Sequence, residues 1–164
     1  MILLLSLFLL FNQASDLPAA KMSAVDFSAV KQGPIREQGC IPLLSRQITF
    51  RVKNRSDKTL YIYGRGIDGD YPLGTLIRLD REKNQWLDSE GNTAQHPYSV
   101  IRDFIYKEIG GHIDVHVLSP GRSMKFNDFA KETFVGSRVK RIIYISFSPD
   151  EEPQMFMSEE FTLR

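Results

Sequence analysis

The residues in this sequence best suited to chemistry are His112, Asp114 and His116, which form a His-x-Asp-x-His pattern. Residues two apart on a β-strand point to the same side, so this spacing predicts that the three side chains project together. Two imidazoles and a carboxylate can ligate a metal ion, as in a metal carrier or a metal-dependent hydrolase. The same pattern is typical of the wet side of an amphipathic strand, and the sequence leaves both interpretations open.

A second group of candidates is aromatic and comprises Tyr61, Tyr63 and Trp86, the last being the only tryptophan. If Leu60 and Ile62 face inward, strand alternation turns Tyr61 and Tyr63 outward. Exposed aromatic side chains bind sugar rings or anchor a partner protein. The alternative is that these three side chains pack against the sheet and bind no ligand.

Other catalytic patterns are absent from the sequence. No serine lies in a Gly-x-Ser-x-Gly turn, and Gly64-Arg65-Gly66 lacks the further glycine and lysine of a phosphate loop. Cys40 is the single cysteine, which rules out an intrachain disulfide and a multi-cysteine zinc site. We therefore predict a protein that is not an enzyme and needs no cofactor, with the metal-dependent function as the alternative.

The charge balance gives no reason to expect a nucleic-acid partner. Lys and Arg number 21 and Asp and Glu number 20, for a net charge of +1. Binding to phosphates needs a concentrated basic excess, which this composition does not provide.

The elements that would position these residues are short strands. The stretch 47–64 alternates apolar and polar residues, breaks at a polar turn and resumes, which predicts an antiparallel hairpin. A second hairpin is predicted over 75–88. Further strands are predicted at 25–30, 113–117, 123–127, 139–148 and 155–163, with apolar residues on both faces of 139–148 marking a central strand. This pattern favours an all-β, antiparallel, immunoglobulin-like sandwich of seven or eight strands, with a closed barrel as the alternative.

One segment has helical rather than strand periodicity. Apolar residues recur at helical spacing between residues 98 and 109, and Gly110-Gly111 follows as a stop signal. This spacing predicts a short helix, and an irregular cover over one end of the sandwich also fits.

The N-terminus predicts export. Residues 2–11 read ILLLSLFLLF, which has the length of a signal-peptide apolar region and is too short to span a bilayer. A buried first strand or helix is the alternative. We assign 1–15 to a signal peptide, 16–40 to an N-terminal extension and 41–164 to one sandwich domain. The expected location is secreted or periplasmic, with no stable membrane span after processing.

Several segments together resemble a group of uncharacterised exported bacterial proteins with an immunoglobulin-like β-sandwich. The resemblance covers residues 47–163 and rests on FRVKNRSDKTLYIYG, QW, VLSPGRSMKF, RIIYISFS and SEEFTL. It implies a secreted or periplasmic sandwich and carries no activity or catalytic residue.

The expected role is therefore that of a binding or structural module. Its partner would be an unknown exported protein or a glycan. Self-association through an edge strand is a further prediction, because such edges can accept a strand from another chain. Asn54-Arg55-Ser56 also forms a glycosylation sequon on a predicted turn.

Overall fold

The computed structural model describes residues 24–38, 43–65, 71–93, 96–107 and 111–164. These residues form eleven β-strands, one α-helix and a single turn of 3-10 helix. The predicted signal peptide and Cys40 lie outside them. None of the helical segments described has the length and hydropathy needed to cross a membrane.

In chain order the elements are β1 (Val25–Gln38), β2 (Leu43–Asn54), β3 (Leu60–Arg65), β4 (Tyr71–Pro72), β5 (Leu76–Asp80), β6 (Gln85–Leu87), α1 (Tyr98–Lys107), β7 (Asp114–Leu118), β8 (Ser123–Lys131), the 3-10 turn (Glu132–Phe134), β9 (Arg138–Ser146), β10 (Gln154–Met157) and β11 (Phe161–Thr162).

The strands form two antiparallel sheets, which confirms the predicted sandwich. The first sheet has the order β1-β2-β8. The second sheet is built around β9, which pairs with β3, β5, β10 and β11. Strands β4 and β7 pair with β3, and β6 pairs with β5. The second predicted hairpin is confirmed as β5–β6.

Strand β9 is buried on both faces, as its sequence predicts. Val139, Ile143 and Ile145 point into the space between the sheets, and Ile142 and Tyr144 point to the outer face of the second sheet. A strand with a wet face would alternate apolar and polar residues, whereas β9 is apolar on both sides along most of its length.

The main core lies between the two sheets and is rich in aromatic rings. Phe27, Phe50 and Phe126 of the first sheet pack together with centroid separations of 5.5 to 6.1 Å. Leu60 and Ile62 of β3 meet them from the second sheet. Packed aromatic and aliphatic side chains of this kind supply most of the favourable free energy of folding.

A second hydrophobic cluster covers the outer face of the second sheet. Helix α1 lies there and places Tyr98 and Ile105 against Tyr63, Ile142 and Tyr144. The predicted helix is therefore confirmed, but it covers a face of the sheet rather than one end of the sandwich. The second sheet is thus the middle layer of a three-layer arrangement.

The predicted hairpin over 47–64 is wrong. Strand β2 pairs with β1 and β8 in the first sheet, and β3 pairs with β7 and β9 in the second sheet. The polar turn between β2 and β3 therefore carries the chain from one sheet to the other. The turn between β7 and β8 makes a second crossing of the same kind.

Asn54 joins these two crossings. Its Nδ2 donates to the carbonyl oxygens of Lys58 at 2.7 Å and Leu118 at 2.9 Å, and its Oδ1 accepts from the N–H and hydroxyl of Ser56. The backbone N–H of Gly121 also donates to the Asn54 carbonyl oxygen, at 2.9 Å. Asn54, the asparagine of the predicted sequon, is fully buried, and its side-chain amide stabilises the folded protein through these hydrogen bonds.

Two strand boundaries differ from the sequence predictions. Residues 25–38, mostly assigned to an extension outside the domain, form β1 and pair with β2 from Val25 to Gln38. The predicted strand at 155–163 is two short strands, β10 and β11, because the backbone N–H of Glu159 turns away to the carbonyl oxygen of Phe27.

Candidate functional site

In strand β7, which carries Asp114 and His116, the valines face outward and the polar side chains face inward, the reverse of an ordinary amphipathic strand. Register pairs Val115 and Val117 with the outward-facing tyrosines of β3, and pairs His116 with the inward-facing Ile62. The valines are exposed, whereas Asp114 and His116 are half-buried. Asp114 and His116 therefore do not lie on the wet side of this strand, because β7 lies at the margin of the described sheet and its outer face is uncovered.

The three predicted metal ligands are only partly brought together. His112 Nε2 lies 3.6 Å from a carboxylate oxygen of Asp114, with His112 largely exposed. The Nε2 atom of His116 is buried and, among the described residues, has no hydrogen-bond partner. No group of three His, Cys, Asp or Glu side chains within the described ranges could hold a metal ion. Metal binding at His112, Asp114 and His116 stays a sequence prediction.

The three predicted aromatic ligands share the outer face of the second sheet. Leu60 and Ile62 are buried in the sandwich core, so Tyr61 and Tyr63 do point outward. Tyr63 is nevertheless covered, since its ring meets that of Tyr98 edge-on at 5.1 Å.

Tyr61 and Trp86 are half-buried against the outer cluster. The Lys140 ammonium lies 4.7 Å from the centroid of the Trp86 ring and occupies one of its faces. A stacking platform for sugar rings needs open ring faces, and Tyr63 and Trp86 do not both offer them.

The feature best suited to binding is a groove between α1 and the second sheet. It has a volume of about 320 Å³. Ile101, Phe104 and Ile105 line it from the helix, and Ile142 and Tyr144 line it from β9. This size and this apolar lining are typical of ligand sites.

The rim of the groove is polar. Arg65, Thr75 and His96 border it. The Tyr144 hydroxyl donates a hydrogen bond of 2.7 Å to the His96 carbonyl oxygen, which ties the start of the helical segment to β9. The arrangement provides an apolar floor with polar groups at its edge, a combination common in ligand sites.

Burial between α1 and the second sheet raises the pKa of Tyr98 and of Tyr144, each to about 12. Folding therefore keeps both phenols protonated between pH 10 and 12, where the unfolded chain loses these protons. We expect stability from this source to be complete below pH 10 and to be lost as the pH rises towards 12. Ultraviolet titration of phenolate in the native protein tests this.

The matched variant for that titration is Tyr144→Phe. It should remove one of the late-ionising phenols and leave the other in place. Ionisation of all native tyrosines near pH 10 would contradict burial of Tyr98 and Tyr144.

A larger cavity, of about 530 Å³, is lined by residues of β1, β9 and β10 and by the segment that follows β10. In its lining, Asp26 accepts a hydrogen bond from Arg55 at 2.7 Å and lies 3.7 Å from Arg51. The hydrogen bond from Arg55 lowers the pKa of Asp26 despite its partial burial. This ion pair connects β1 to the crossing at residue 55, and we do not assign the cavity a ligand.

Sequence reasoning did not single out the groove residues. Ile101, Phe104 and Ile105 were predicted only to form a helix. The apolar residues of this helix carried a signal, because Val100 and Phe104 lie four apart on a flank beside the buried stripe. A helix that is apolar beyond its core-facing stripe has a surface that water does not favour.

Comparison with known proteins adds little to this picture. No family model matches the chain, and no curated protein matches it. A solved structure from Bordetella pertussis, described as an ApaA protein, is similar with a TM-score of 0.43 and 11% sequence identity. The similarity covers 85% of this chain and 93% of that one. At this level it establishes neither fold nor function.

Proposed function

We propose that this chain is a non-enzymatic binding module that works outside the cytoplasm and holds an apolar segment of a partner protein in the groove beneath α1. The observation that carries the proposal is the uncovered apolar surface of the helix. Val100, Phe104 and Tyr106 are all exposed on a helix of ten residues. Phe104 is 55% exposed and also lines the groove.

An apolar peptide side chain suits this site better than a glycan. The groove floor consists of aliphatic and aromatic groups, and burying a side chain such as Leu or Phe there would contribute about 1.5–3 kcal/mol. Arg65 and His96 at the rim can contact backbone carbonyl oxygens of a bound segment. A sugar would instead need open aromatic faces, and Tyr63 lies under Tyr98.

The proposed location rests on the apolar segment at residues 2–11 and on the resemblance to exported sandwich proteins. Neither bears on the groove itself, so the proposed binding activity and the proposed location are separate claims.

The sharpest test is Phe104→Asp. Peptides would first be selected from a displayed random library against the purified protein, and their dissociation constants measured by calorimetry. We expect selected peptides to carry an apolar anchor and to lose about 30-fold or more in affinity in this variant, the loss typical of an interface hot spot.

The matched control is Phe129→Asp, which makes the same change at an exposed phenylalanine of the first sheet. Affinity should be unchanged there. Equal loss in both variants, or selection of peptides that ignore Phe104, would contradict the groove as the binding site. Glycan binding that falls in a Trp86→Ala variant would favour the aromatic residues instead.

A further inference from the structure

Strand β7 is an edge of the second sheet. Among the described residues it pairs with β3 alone, through five consecutive residues without a register shift. In an antiparallel pair about half of the backbone N–H and C=O groups of an edge strand point away from its neighbour. Those of β7 have no strand partner among residues 24–38, 43–65, 71–93, 96–107 and 111–164.

The other long edges of the described sheets are protected against such pairing. Strand β1 has two register shifts and contains Pro34. Strand β8 presents Lys125 and Lys131 on its exposed side. Strands β10 and β11 are short and are separated by Glu159 and Glu160. Lysines, prolines, bulges and short strands are the usual devices that prevent edge-to-edge association.

Strand β7 contains no lysine, proline or bulge, although it is only five residues long and its Asp114 and His116 point to the inner side. Its exposed side consists of Val115 and Val117, which are 44% and 58% exposed. Edge strands that remain monomeric rarely present two neighbouring β-branched apolar residues.

The sequence of β7 is complementary to itself in one antiparallel register. With a two-fold axis through Val115, that residue faces Val115 of a second copy, and Val117 faces Ile113, which precedes the strand and is buried against the outer cluster. On the other side of the strand, Asp114 then faces His116 in both directions. Directly opposed residues have Cβ atoms about 4.5–5.5 Å apart, so the carboxylate can accept from the imidazole N–H.

This register would give the His116 side chain a hydrogen-bond partner. His116 Nε2 is buried and lacks a hydrogen-bond partner among the described residues, and leaving a buried polar atom without a partner is costly. We propose that the partner of β7 is a second copy of this chain, paired antiparallel about Val115 so that the two second sheets form one continuous sheet. The proposal concerns a different element from the groove, and either can fail without the other.

The first test measures association of the mature chain by sedimentation equilibrium. An interface of this size is expected to give a weak dimer, with a dissociation constant between about 1 µM and 1 mM. Val115→Lys places two ammonium groups against each other at the axis and should weaken the dimer about 10-fold or more. Val30→Lys is the matched control, since Val30 is 42% exposed on the edge of the other sheet, and it should leave association unchanged.

The second test fixes the register and does not depend on the lysine variant folding. In a Cys40→Ser background, Val115→Cys should form an intermolecular disulfide on mild oxidation. Val117→Cys should not, because the two sulfur-bearing residues would be offset by four residues, about 13 Å.

Three results would overturn the proposal. The first is a protein that stays monomeric across the concentration range. The second is a dimer that Val115→Lys does not weaken or that Val30→Lys weakens equally. The third is crosslinking through residue 117 in place of residue 115, which would reject the register. Loss of peptide binding in Phe104→Asp bears on none of these, so the two proposals are tested apart.

Discussion

Replacing Asp128 by alanine is expected to lower the free energy of unfolding by about 3–5 kcal/mol, which urea denaturation would measure. Arg141 of β9 is only 1% exposed and forms an ion pair with Asp128 of β8, so this pair connects the two sheets. Without the carboxylate, a guanidinium would remain in the interior with its charge uncompensated. Its remaining contacts, to the carbonyl oxygens of Pro72 and Ile142, satisfy donors but do not neutralise the charge.

The loss of stability in Asp128→Ala should come from the unpaired charge of the buried Arg141 guanidinium. In the double variant Asp128→Ala with Arg141→Met, most of the lost stability should return, because an apolar side chain of similar length replaces the isolated cation. Asp103→Ala is the surface control: its ion pairs with Arg102 and Lys107 are exposed, so it should change stability little. A double variant as unstable as Asp128→Ala would show that the charge is not the cause.

Replacing Asn54 by alanine is expected to cost about 3 kcal/mol or more. The substitution leaves the carbonyl oxygens of Lys58 and Leu118 without their donor in a buried position, and each such group costs about 1–3 kcal/mol. It also removes the acceptor for Ser56. Thermal and urea unfolding of the purified variant would give the change in free energy.

The Asn54→Asp variant separates hydrogen bonding from packing at the same site. It keeps the side-chain volume but places a carboxylate oxygen against two carbonyl oxygens, so we expect it to be at least as unstable as the alanine variant. Asn127→Ala is the exposed control, since the Asn127 side chain accepts a hydrogen bond from the Thr49 hydroxyl on the surface. If the aspartate variant were as stable as the wild type, the two carbonyl contacts would not matter to folding.

Local patterns in the sequence predicted the elements well. Alternation located β5, β8 and β9, and helical spacing located α1. The apolar faces of residues 139–148 correctly identified a central strand. These features depend on near neighbours in the chain, which a sequence reports directly.

Which strands pair with each other was harder to predict. A short polar turn between two strands looks the same whether it closes a hairpin or crosses between sheets, and the sequence at 54–59 gave no means to tell them apart. Only the buried position of Asn54, set by residues 118–121 far along the chain, distinguishes the crossing. A local pattern cannot contain that contact.

Two charged or polar positions were also hard to place from the sequence. Arg141 lies beside Arg138 and Lys140 in a basic stretch, yet it shares the parity of Val139 and Ile143, which could have revealed its burial. His116 alternates with valines, a pattern typical of a wet face. The rule that polar residues alternating with apolar ones face water fails at the margin of a sheet, where neither face is fully covered. The sequence did not predict the groove, because its shape depends on how α1 packs against β9.

The position of β9 in the sheet has a consequence for the order in which the protein can fold. Strands β3 and β5 leave the ribosome early, yet both pair with a strand that begins only at Arg138. The second sheet, and the helix that packs on it, therefore cannot assemble until most of the chain has been made. Forming these distant contacts first requires closing long loops, which slows folding. We therefore expect the second sheet to be completed only after β9 has been synthesised, whereas the β1–β2 and β5–β6 pairs need no residue of β9.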